Sequence, residues 1–205
     1  PPPPVDTSGH AGMQVIRQEI AALQVVAELL DPHAMDAAAA LVAGTQESGG
    51  RTHVTGVGKC RHIGHKIAAT LQSTGTVAYF LEPLDATHGD SGQVCAGDVV
   101  IGISNSGGTR ELLDTLTTVK RNGAKVIGIT GGRESDLARL SDVLLHVPVE
   151  READPMGLAP TSSTTCQLAV GDALAVMLAR QRGFTADDFG RYHPGGSLGA
   201  RVTDG

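Results

Sequence analysis

Apolar residues recur at helical spacing over residues 13–30, where Val15, Ile16, Ile20, Leu23, Val26 and Leu29 form one stripe on a polar background. That stripe predicts an amphipathic helix. Pro32 interrupts the pattern, and the alanine-rich run 34–45 predicts a second helix. The period then changes. Short β-branched runs predict strands at 53–57, 77–81, 98–103, 125–130 and 142–147, and helical stretches alternate with them at 63–72, 109–122 and 135–140. A long apolar helix is predicted over 164–182, packed on the sheet.

Strands that alternate with helices, and that are short, buried and β-branched, imply an α/β fold with a doubly wound parallel sheet. Ligands of such sheets bind outside the carboxyl ends of the strands, where the strand order reverses. The loops after the strands are therefore the places to look for chemistry. Composition agrees with this architecture. Of the 205 residues 40% are hydrophobic but only 2% aromatic, so Val, Ile, Leu and Ala must fill the core. The formal charge of -6 argues against a nucleic-acid or anionic-membrane partner. Cys60, Cys95 and Cys166 are odd in number and widely spaced, which fits a reducing cytoplasm better than a disulfide framework. No signal peptide or membrane span is expected, and residues 1–10 are expected to be an extended, mobile extension.

The richest loop is Ser104-Asn105-Ser106-Gly107-Gly108-Thr109-Arg110-Glu111, between a strand and a helix. Its hydroxyls and free backbone N–H groups meet the positive end of the helix dipole, which suits a phosphate. An ordinary Ser/Thr cap on a glycine-rich turn would look similar. A second hydroxyl run, Thr161-Ser162-Ser163-Thr164-Thr165, opens the long last helix and exceeds what capping needs. Gly56-Val57-Gly58-Lys59 adds a cation beside a tight turn. It is neither a Walker A motif nor a dinucleotide fingerprint, because Cys60 follows the lysine and Arg61 stands where the third glycine belongs. His62 and His65 share a helix face, but no carboxylate pattern accompanies them, and no metal is expected.

The serine loop, the Ala159-Pro160-Thr161-Ser162-Ser163-Thr164-Thr165 run, Gly183-Phe184-Thr185-Ala186-Asp187-Asp188-Phe189 and His193-Pro194-Gly195-Gly196-Ser197-Leu198-Gly199 together resemble the SIS (sugar isomerase) domain of arabinose 5-phosphate isomerases. The resemblance runs from about residue 13 to Arg201. It implies a five-stranded parallel SIS sheet flanked by helices in a flavodoxin-like three-layer sandwich, forming one domain over residues 11–205. It also implies tetrameric assembly and the step that commits a pentose phosphate to the lipopolysaccharide sugar Kdo. Matching catalytic positions are Lys59, Glu111, Glu152 and His193. Matching substrate contacts are Gly75, Thr76, His88, Ser104, Asn105, Ser106, Gly107, Thr109, Ser162, Ser163 and Thr164. Cys60 departs from the serine usual there, and Glu82 from a histidine that some members associate with inhibitory metal. Most full-length members carry a C-terminal CBS pair, which is expected to be absent from this chain or removed from it.

The chemistry implied is aldose–ketose isomerisation of arabinose 5-phosphate and ribulose 5-phosphate through an enediolate. It needs a base that moves a proton between C1 and C2 and groups that handle hydroxyl protons, tasks that a carboxylate, a histidine and a lysine cover without a cofactor. On the residues alone, Glu111 could also be a first-turn glutamate favoured by the dipole, and His193 a surface histidine. A non-catalytic sugar-phosphate sensor would keep the serine loop without needing Glu111, Glu152 and His193 together. An isomerase for another sugar phosphate would share all of them. A serine hydrolase is disfavoured because no Gly-x-Ser-x-Gly elbow is present.

Overall fold

The computed structural model describes residues 8–194. α1 (Gly9–Leu29) and α2 (Pro32–Glu47) lead into β1 (Thr52–Gly56), α3 (Lys59–Ser73), β2 (Ala78–Phe80) and α4 (Pro83–Ala86). A short 3-10 turn (Asp90–Gln93) precedes β3 (Val99–Ile103), α5 (Arg110–Arg121), β4 (Lys125–Thr130), α6 (Asp136–Leu140) and β5 (Val143–His146). α7 (Ser162–Gln181) and α8 (Ala186–Tyr192) close the described chain. The expected N-terminal extension lies outside the described residues up to position 7, and α1 already begins at Gly9.

Pro32 starts a helix rather than merely ending one. It occupies the first turn of α2, where its missing N–H costs nothing, and Asp31 Oδ1 accepts from His33 N at 2.9 Å as the cap. α3 begins four residues before the apolar periodicity does, because its first turn, Lys59-Cys60-Arg61-His62, adds no large apolar side chain to the stripe.

All five strands are parallel in the order β2-β1-β3-β4-β5, so the order reverses between β1 and β3. β1 and β3 are buried along their whole length; β3 is a continuous apolar run, as a strand covered on both faces commonly is, whereas β1 buries the polar side chains of Thr52, His53 and Thr55. One face carries Val54, Ile101, Ile103, Ile127 and Ile129 against α1, α2, α3 and α7; the other carries Val100 and Val126 against Leu112, Leu116 and Leu137 of α5 and α6. The result is three layers. α3 and α7 approach closely enough that a Cβ on Gly171 would stand 2.3 Å from Ile67 Cδ1, which explains a glycine in mid-helix despite its propensity cost. Among the described residues no helix is long and apolar enough to cross a membrane.

Candidate active site

The loops after β1 and β3 flank the reversal point, so Val57-Gly58-Lys59 and Ser104 to Thr109 line one crevice at the carboxyl end of the sheet. The serine loop is held from within. Ser104 is buried, its Oγ shares a 2.9 Å hydrogen bond with Thr109 Oγ1 and accepts from Gly107 N at 3.1 Å. Asn105 O accepts from Gly131 N at 3.0 Å and from Thr130 Oγ1 at 3.2 Å, which ties the loop to the end of β4. Gly107 has φ +66°, and a Cβ there would meet Ser135 Oγ at 2.0 Å. Only glycine fits that turn.

These bonds leave the N-terminus of α5 open. Thr109 sits at its cap position, yet its side chain caps nothing, since the hydroxyl is engaged with Ser104. Ser106 is exposed, with Oγ 3.3 Å from the Gly108 N–H that it accepts. An exposed hydroxyl beside an uncapped helix start offers donors to an anion, the chemistry that the sequence pattern leads one to expect here. Glu111 lies in the first turn of the same helix, exposed, and lines a cleft of about 740 Å³ with Gly58, Arg61, Glu82, Asp85 and Asp90. Lys59 is exposed at the start of α3 and forms no ion pair among the described residues.

The second hydroxyl run behaves differently. Glu152 Oε2 accepts from Thr161 N at 2.9 Å, Ser163 N at 3.1 Å and Thr161 Oγ1 at 3.3 Å, so a carboxylate from the preceding loop caps α7. Burial pushes the Glu152 carboxyl up, but the hydrogen bonds from Ser163 and Thr161 outweigh it and hold it below the ordinary carboxylate value. Ser162 and Ser163 are buried, and Thr164 Oγ1 donates to Thr161 O at 2.9 Å. Cys60 turns inward: its thiol donates to Gln167 Oε1 of α7 at 3.4 Å, and burial pushes its pKa up.

His88 stands exposed after α4, on the same end of the sheet. Gly75, Thr76 and His193 do not. Gly75 and Thr76 precede β2, so they lie where the strands begin. Phe184 packs against Gly75 and stacks on Tyr192, and this seats α8 and His193 at that same end. His193 stacks on Phe189 with ring centroids 3.8 Å apart, and its Nδ1 lies 2.9 Å from Phe189 O. Strands of about five residues hold the two ends roughly 16 Å apart at ~3.3 Å per residue. The structure thus gathers Lys59, Glu111, Glu152, His88 and the serine loop at one end, and Gly75, Thr76 and His193 at the other. Gly195 to Gly199 lie outside the described residues.

Sequence reasoning missed the Arg61–Glu82 ion pair across the cleft, and the part played by Thr161 in holding Glu152. The first had one visible signal, Glu82 in place of a histidine that some members carry there. The second had none, because a capping carboxylate that arrives from another loop leaves no spacing in the chain.

Residues 47–177 match the SIS domain family. The chain is 52% identical over 153 residues to the arabinose 5-phosphate isomerase KdsD of Pseudomonas aeruginosa, and 54% identical over the same length to KdsD of Escherichia coli strain K12. Each match covers 75% of this chain and 47% of the relative, so the chain spans about half the length of the curated relatives it matches. Among solved structures, the E. coli CFT073 protein c3406 in complex with arabinose 5-phosphate superposes with a TM-score of 0.82 at 42% identity, covering 90% of this chain and 96% of that one.

Proposed function

The chain belongs to the SIS domain family, and on that premise we propose that it is an aldose–ketose isomerase for arabinose 5-phosphate and ribulose 5-phosphate. The observation that carries the proposal is the pairing of an open α5 N-terminus with a free carboxylate, Glu111, in the first turn of the same helix. KdsD relatives and a structural neighbour bound to arabinose 5-phosphate support the substrate class. Ser104 and Thr109 shape the loop, while Ser106 and the N–H groups of α5 hold the phosphate, with Asn105 and Gly107 fixing the backbone. The carbon chain then lies along the cleft, past Glu111. Glu111 shuttles the proton between C1 and C2, and Lys59 steadies the enediolate oxygen. Glu152 is held in its charged form by α7, which makes it a weak base, and its role is to fix the helix that walls the site. Ser162, Ser163 and Thr164 act through that same wall.

His193, Gly75 and Thr76 reach such a site only from a second copy. Exposed Met13, Ile16 and Ile20 on α1, with Met156 and Leu158 on the loop before α7, support assembly, and a tetramer follows from the resemblance. The Phe189 carbonyl accepts a hydrogen bond from His193 Nδ1–H, leaving Nε2 free to open the sugar ring or relay hydroxyl protons. The reading places the enzyme in the cytoplasm, at the supply of pentose phosphate for Kdo; three free cysteines support a reducing compartment.

The test follows solvent deuterium into C2 of arabinose 5-phosphate by NMR, with ribose 5-phosphate and glucosamine 6-phosphate as comparators. Wild type is expected to turn over the arabinose substrate in preference to both, and Glu111→Gln to lose turnover and exchange together. Binding without any turnover would instead favour a sugar-phosphate sensor, and near-normal exchange in Glu111→Gln would transfer the base to His193.

A further inference from the structure

The cleft beside Glu111 has a charge problem. Its lining includes the carboxylates of Glu82, Asp85, Asp90 and Glu111, and Arg61 is the single Lys or Arg side chain among its lining residues. A phosphorylated sugar entering it would meet four negative groups and one fixed cation. Arg61 stands on the first turn of α3, across the strand-order reversal from Glu111 on the first turn of α5.

The ion pair that Arg61 makes is one-sided. Its Nε donates to Glu82 Oε2, and neither Nη group has a partner among the described residues. Glu82 occupies the cap position of α4 but makes no capping bond, because its carboxylate is turned to Arg61. The side chains are 46% and 26% exposed, and a pair that wet contributes little to stability. What the pair does is aim a guanidinium: the Nε edge is anchored, and four N–H donors remain for a ligand.

We propose that Arg61 is a substrate-binding residue of this site, donating through Nη to oxygens on the non-phosphate end of the sugar, and that Glu82 is the positioning residue that orients it. The inference rests on the isomerase reading above and adds the contact that selects the far end of the substrate. Phosphate stays with the serine loop and α5. Arg61 is therefore a specificity group, and its loss weakens the sugar without weakening inorganic phosphate.

Steady-state kinetics on wild type, Arg61→Ala, Arg61→Lys, Glu82→Gln and the Arg61→Ala/Glu82→Gln double variant test this, with inorganic phosphate as a competitive probe. Removing a charge-assisted contact is expected to raise KM for arabinose 5-phosphate about tenfold or more in Arg61→Ala. Its phosphate inhibition constant and thermal midpoint are expected to stay within about twofold and two degrees of wild type. Arg61→Lys, a point charge without the fork, is expected to recover only part of the loss. Glu82→Gln is expected to raise KM less than Arg61→Ala, and to add nothing once Arg61 is gone, because it acts through that residue. A wild-type KM in Arg61→Ala overturns the inference while leaving the isomerase reading intact. Equal losses of sugar and phosphate affinity also overturn it, since they would mean a distorted site. A wild-type protein that turns over no pentose phosphate overturns the isomerase reading and the inference with it.

Discussion

Gly107→Ala is the sharpest test of how the serine loop is built. The residue has φ +66°, a region that costs an L-residue about 1–2 kcal/mol. The added methyl would also stand 2.0 Å from Ser135 Oγ, 2.5 Å from Ser135 Cβ and 2.8 Å from Thr130 Oγ1. None of these is the end of a flexible side chain. Ser135 is pinned, with Oγ donating to Gly132 O at 2.6 Å and accepting from Ala138 N at 3.3 Å as the α6 cap. Overpacking of this kind adds roughly 1–3 kcal/mol, so the total is roughly 2–5 kcal/mol against a folding free energy of about 5–15 kcal/mol. For a chain of this length that lowers the thermal midpoint by roughly 4–20 °C. Urea denaturation is the direct assay, with a lower midpoint and an unchanged slope expected. Adding Ser135→Gly separates the two costs: it removes both close atoms of Ser135, so the double variant should recover at least about 1 kcal/mol relative to additivity. Affinity for inorganic phosphate should fall with the loop. A Gly107→Ala protein with the wild-type urea midpoint would mean that the loop is not packed as described.

Ser106→Ala should raise KM for the sugar phosphate more than it lowers kcat, because phosphate binding is shared by ground and transition states; an unchanged KM would remove Ser106 from the anion site. Glu152→Gln should change the pH dependence of stability. The folded carboxyl lies below its ordinary value of 4.5, so its contribution is present above that value and is lost as pH falls through the lowered one. Urea midpoints should therefore drop less between neutral and acid pH in the variant than in wild type, and parallel profiles would argue against the capping role. Mixing Glu111→Gln with His193→Ala protein, after dissociation and reassociation, should restore part of the activity that each lacks. No recovery would mean that His193 is not donated by a second copy.

The alternating periods were enough for the parallel sheet, because a strand covered on both faces, such as β3, reads as a continuous apolar run and the helices between strands must be amphipathic. β1 was legible only through its β-branched residues, since it buries Thr52, His53 and Thr55. Boundaries failed where polar side chains leave no stripe to read, as in the first turn of α3. α8 went unnoticed although Thr185 and Asp188 form a reciprocal capping box, visible as a Thr followed three residues later by an acid. α4 and the 3-10 turn, each four residues long, are too short for any period to show. Of the site, the serine loop was legible because its chemistry is local. The separation of His193 from Glu111 was not, since residue identity says nothing of which end of a sheet an extension folds back upon.

Two helix N-termini differ in what occupies them, and the contrast bears on where the proposed isomerase would hold an anion. Both α5 and α7 begin in hydroxyl-rich segments, and both place a threonine at the cap whose side chain does not cap. At α7 the vacancy is filled: Glu152 brings a full negative charge to the Thr161 and Ser163 N–H groups, so a phosphate there would meet a like charge and find its donors taken. At α5 the Thr109 hydroxyl bonds Ser104 instead, and among the described residues no carboxylate from elsewhere replaces it. The dipole and free N–H groups of α5 stay available. The same comparison separates the two glutamates. Glu152 is bound by hydrogen bonds that favour its charged form and serves the architecture, whereas Glu111 stands exposed beside the open cradle. A base for carbon-bound protons must be free to accept one within reach of a substrate whose phosphate is fixed. In the isomerase proposed above that base is Glu111, and Glu152 would keep the second helix from competing for the phosphate.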